Sequence, residues 1–117
     1  FSYLIVHPPW QTPPLLIRPE GVWDKLKGAI GFDDIDFESV DFSNAYTVRS
    51  RDRKLAFDFC HTGMMEYLLA HRGTALELEG NTLALFVDRR LEAADLDPLF
   101  RKAARLRELM PEYLFRD

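Results

Sequence analysis

Cysteine is almost missing from this chain: Cys60 is the single one among 117 residues. That count excludes an internal disulfide and any cysteine-rich zinc module, and it favours a cytoplasmic setting. Histidine is scarce as well, and His7, His61 and His71 stand at no short metal-ligand spacing from one another. No apolar run is long enough to span a bilayer, since the opening Phe1-Ser2-Tyr3-Leu4-Ile5-Val6 stops at His7-Pro8-Pro9. Lacking both an initiator Met and a basic signal segment, this opening reads as a strand inherited from a longer chain. Basic residues fall short of acidic ones, 15 against 19 for a net charge of -4, which argues against a nucleic-acid partner. No phosphate-cradling glycine loop is present, and neither Ser39 nor Ser43 has the G-x-S-x-G surroundings of a nucleophile elbow.

What is abundant is core-forming material. Hydrophobic residues make up 47% of the chain and phenylalanine alone occurs nine times, enough to bury one core. The expectation is one compact domain over 1–117, or the C-terminal portion of a larger one. Tyr3 to His7 reads as a strand, and Leu15 to Arg18 as a second that Pro19 stops. The segment Pro8 to Pro14 between them reads as a stiff loop carrying Trp10. Val22, Trp23, Leu26, Ala29 and Ile30 recur near helical spacing, predicting a short helix from Gly21 to about Gly31. Phe32 to Ser43 mixes acidic and apolar residues without a clean period.

Beyond it, Ala45 to Arg49 reads as a strand, with Ser50 capping a helix that runs to Phe59. A second helix from Thr62 to His71 presents Met64, Met65, Leu68 and Leu69, and Gly73 stops it. Leu76 to Val87 carries the clearest signal. A two-residue turn at Gly80-Asn81 sets Glu79 opposite Thr82, Leu78 opposite Leu83 and Leu76 opposite Leu85, so turn and apolar alternation specify the same register. Asp97 and Pro98 read as the cap and first turn of a last helix whose apolar face is Leu99, Phe100, Ala103, Leu106, Leu109 and Met110. One apolar sheet face and three or four amphipathic helices bury each other most simply as a two-layer α+β domain with a small, mainly antiparallel sheet.

Candidate sites are few. An EF-hand loop starting at Asp34 fails because Ser39 and Ala45 stand where Gly and Glu are required. Cys60 beside His61 suggests nucleophilic chemistry only if a base or cation reaches the sulfur, and adjacency in sequence does not supply that. Arg49, Arg51, Arg53 and Lys54 form the densest basic patch and are the candidate anion-binding residues, with ion pairing to the Asp33–Asp41 segment as the competing reading. The basic residues Arg101, Lys102 and Arg105 read as a solvated helix face. Trp10 is the candidate interface residue, Trp23 a core residue.

Phe42-Ser43-Asn44-Ala45-Tyr46-Thr47-Val48-Arg49-Ser50, then Asp52, Ala56 and His61 to Leu69, resemble C-terminal regions of uncharacterised bacterial proteins, actinobacterial ones in particular. The shared layout is a short strand, a helix with a Met-Met pair and a later E-G-N-x-L hairpin over residues 35–115. The resemblance attaches no activity to any residue, and it leaves room for a membrane anchor elsewhere in the parent chain. No catalytic, cofactor or metal residue is assigned. The expectation is a noncatalytic interaction or scaffold domain, partnered by another protein, by the upstream region of its own chain or by a second copy, without membrane contact of its own. The alternative is a small-molecule or anion-binding regulatory module.

Overall fold

A computed structural model describes residues 2–8, 11–19, 34–87 and 89–115. It is a two-layer α+β domain with one five-stranded antiparallel sheet. The strands are β1 (Ser2–Val6), β2 (Thr12–Pro19), β3 (Tyr46–Ser50), β4 (Ala75–Gly80) and β5 (Thr82–Val87), in spatial order β1-β5-β4-β2-β3. The helices are α1 (Val40–Ala45), α2 (Arg53–Phe59), α3 (Thr62–Ala70) and α4 (Ala93–Leu109), followed by a 3-10 turn at Glu112–Phe115. The helix proposed for Gly21–Gly31, and with it Trp10 and Trp23, lies outside the described residues.

The hairpin forms in the register its sequence specifies, with Leu76 opposite Leu85, Leu78 opposite Leu83 and Glu79 opposite Thr82. Gly80 takes a φ of 61° while Asn81 has no positive φ, the pattern of a type II′ turn, whose first central position needs glycine. Across the sheet the alternation continues: Leu15 and Ile17 face the same way as Leu76 and Leu78, and Tyr46 and Val48 extend that row. These residues join Phe42, Phe59, Met64, Leu68, Leu99 and Leu106 in one core between sheet and helices. Burying a leucine or phenylalanine completely contributes about 1.5–3 kcal/mol, so this single layer dominates the stability.

β1 runs one residue earlier than Tyr3–His7 and β2 takes in Pro19, which pairs with Tyr46 and does not stop the strand before it; three larger departures from the sequence reading have local reasons. Pro13 and Pro14 belong to β2 and not to a loop, because the pairing of β2 with β4 shifts between Thr12 and Leu15. Thr12 faces Gly80 and Leu15 faces Leu78, so β2 carries one extra residue in a bulge, where prolines fit. Ser50 ends β3 and does not cap α2: its hydroxyl donates to the Pro14 carbonyl at 2.6 Å, and the cap is Asp52, whose carboxylate accepts from the Leu55 amide at 3.0 Å.

Helix α4 begins a full turn before Asp97. Its N-cap is Glu92, whose amide donates to Asp95 at 2.7 Å, and Arg89 holds the same carboxylate through two bonds of 2.6 and 2.8 Å. Pro98 therefore sits inside the helix. The carbonyl it leaves without an amide belongs to Ala94, which is exposed, so solvent can reach that group.

Candidate functional site

Cys60, His61 and His71 are spoken for by the fold. Cys60 ends α2 with 2% of its surface exposed, and burial pushes its thiol well above the usual cysteine range, away from the nucleophilic thiolate. His61 is the N-cap of α3. Its Nδ1 accepts from the Met64 amide at 3.3 Å, which fixes the proton on Nε2, and Nε2 donates to the Leu109 carbonyl at 2.6 Å. One imidazole thus caps one helix and ties it to the end of another, with both nitrogens used. His71 caps the far end of α3, where Nδ1 donates to the Tyr67 carbonyl at 2.9 Å. His7 is exposed just past β1. Among the described residues no three His, Cys, Asp or Glu side chains cluster so as to hold a metal, and no helix is long and apolar enough to cross a membrane.

The basic patch of the sequence is spread over two elements. Arg49 lies on β3 and its Nε donates to Asp34 at 2.5 Å, beside a backbone bond from Ile35 to Val48 of 2.8 Å that lays the acidic segment along this edge of the sheet. Lys54, on the first turn of α2, pairs with Asp58 at 2.6 Å across one helical turn. The guanidinium of Arg53 stands over the Phe57 ring at 5.7 Å. Arg51 occupies the bend before α2, and its interactions leave it engaged. The four residues do not line one pocket.

Two other surfaces stand out. The first is the β1 edge. The β3 edge is partly covered by Ile35, whereas β1 has β5 on one side and no strand on the other among the described residues. Its outward-facing side chains Tyr3 and Ile5 are 55% and 43% exposed, with Tyr3 against Phe86 at a ring separation of 5.7 Å. Behind this edge, an apolar groove of about 350 Å3 runs between Val6, Leu83 and the exposed Phe100 of α4. The second surface is a cleft of about 400 Å3 where the C-terminal end of α3 meets α4, lined by Tyr67, His71, Pro98, Arg101, Lys102 and Arg105.

No family model, curated protein or solved structure matches the chain. Neither surface follows from the sequence in an obvious way. The α3–α4 cleft was legible only as the spacing of Arg101, Lys102 and Arg105 on one helix face; what converts a basic face into a cleft is α3 meeting it from more than thirty residues earlier in the chain.

Proposed function

We propose that this domain is a noncatalytic interaction module that assembles through strand addition at β1, and that the occupant its edge fits is a second copy of the same chain. The open edge of β1 carries the reading. In a two-residue hairpin the residues flanking the turn exchange their hydrogen bonds, so Glu79 and Thr82 point at each other and the alternate residues Leu83, Leu85 and Val87 point at β1. Their partners Val6, Leu4 and Ser2 use their backbone groups inward. The amides and carbonyls of Tyr3 and Ile5 therefore point away from the sheet.

An antiparallel twin places Leu4 opposite Leu4 on a two-fold axis. Tyr3 of one copy then faces Ile5 of the other, and the outward groups make four hydrogen bonds. Ser2 to Val6 also contains no charge, no proline and no bulge, three devices that normally blunt an edge. The groove behind β1 and the exposed Leu96 and Phe100 of α4 extend the apolar surface on the helix side. An interface of this extent belongs to the small, transient class.

Light scattering after size exclusion, over a concentration series, tests the proposal. A concentration-dependent dimer is expected, together with a monomeric but folded Ile5→Pro variant, since that proline removes only an outward amide. A wild-type chain that stays monomeric throughout, or an Ile5→Pro chain that dimerises as well as wild type, overturns it.

A further inference from the structure

The cleft between α3 and α4 gathers positive charge that the fold does not use up. Arg101, Lys102 and Arg105 project from adjacent turns of α4, and His71 closes the far wall. Among the described residues Arg101 forms no ion pair. Among the described residues Arg105 pairs with Glu108 alone, at 3.1 Å, and both partners are more than half exposed, so this pair is weak and easily exchanged.

Lys102 is the centre of the site. It is half-buried, and the burial lowers its proton affinity, which marks an ammonium short of compensating charge. Among the described residues its one hydrogen bond is to the Thr74 hydroxyl at 3.2 Å, and that hydroxyl is itself committed to the His71 carbonyl at 2.6 Å. An ammonium has three donors, so two remain.

The competing role for these cations is to neutralise the C-terminal end of α3. That end carries about half a negative charge, against the full charges of Arg101, Lys102 and Arg105. Its carbonyls are also already served: Tyr67 by His71 Nδ1, Leu68 by the buried Tyr46 hydroxyl at 2.7 Å, and His71 by Thr74. Helix capping leaves most of the positive charge unaccounted for.

From this geometry we infer that the α3–α4 cleft is a binding site for a phosphate group, held by Arg101, Lys102 and Arg105. A tetrahedral dianion suits two guanidinium forks and an ammonium better than a single carboxylate does. The stacked Tyr67 and His71 rings, 4.2 Å apart at 26°, supply a flat wall for the remainder of a phosphate monoester. This site lies on a different surface from β1 and does not depend on self-association.

The test is amide NMR of the intact chain titrated at constant ionic strength with inorganic phosphate, with phenyl phosphate and with sodium chloride alone. Saturable shifts confined to Tyr67–Thr74 and Leu99–Arg105 are expected with both phosphates, with a Kd on the order of 1 mM or tighter. Tighter binding of phenyl phosphate marks an ester as the ligand, and equal binding marks the phosphate alone. Lys102→Gln and Arg101→Gln should each weaken binding at least about tenfold, the value of one charge-assisted hydrogen bond, while leaving the spectrum folded. Absence of saturation, equal shifts with chloride, or equal shifts at Arg51 and Arg53 would overturn the inference, as would undiminished binding in both variants.

Discussion

Replacing Gly63 by alanine should destabilise this protein while His61 is present and stabilise it once His61 is gone. Gly63 is the second residue of α3 and has an ordinary helical backbone, so on propensity alone an alanine there would help, by up to about 1 kcal/mol. A Cβ at that position, however, meets His61 Cε1 at 3.1 Å and Nδ1 at 3.4 Å. The ring cannot step aside freely, because Nε2 is fixed to the Leu109 carbonyl and Nδ1 to the Met64 amide. Those two bonds are worth roughly 2 kcal/mol together, about one for a helix cap and one for a part-buried hydrogen bond. Displacing the ring by a few tenths of an ångström forfeits a good part of that.

Gly63→Ala alone is thus expected to cost about 1 kcal/mol and His61→Ala about 2 kcal/mol. Gly63→Ala in the His61→Ala background should restore roughly 0.5 kcal/mol. The coupling, about 1.5 kcal/mol, lies well outside the additivity of independent sites. Urea unfolding of the four proteins, with unchanged slopes, measures it. If Gly63→Ala stabilises the wild type, or if the two changes add to within about 0.5 kcal/mol, the histidine does not pin this junction and the argument fails.

Two further outcomes concern titration and reactivity. Burial, with the neighbouring Glu79 second, raises the Glu77 carboxyl above its ordinary range, so the folded state holds this proton more tightly than the unfolded chain. Its contribution is complete below the ordinary glutamate value and is lost as pH rises through the raised one; Glu77→Gln should therefore be more stable than wild type at neutral pH and equal to it in acid, as thermal unfolding across pH would show. Cys60, buried and with its thiol pushed up, should react with a thiol reagent only at the rate of unfolding. Fast modification of the native protein would contradict its placement in the core.

The sequence made the hairpin readable because two independent signals agreed there, the glycine at the turn and the leucine alternation beside it. Where one local signal stood alone, it misled. Asp97-Pro98 looks like a helix start, yet the helix starts at Ala93 because Arg89 and Asp95 secure an earlier turn and the amide missing at Pro98 falls on a solvated carbonyl. Pro13-Pro14 looks like a loop, yet the bulge opposite β4 absorbs it. The candidate cleft was hidden for a third reason. It is made by α3 and α4 approaching from distant parts of the chain, and periodicity within one helix carries no information about which neighbour will face it.

The bulge in β2 also works as a ratchet on assembly. β2 is the strand through which β3 joins the hairpin, so an error in its alignment would misplace two of the five strands. Sliding it by one position would carry Pro13 or Pro14 into a rung where the facing strand waits for an amide, and the mistaken ladder would stop after a step. Only the alignment that parks both prolines in the kink can zip to completion, so the chain's least sheet-like residues act as proofreaders of the strand that ties β3 to the hairpin.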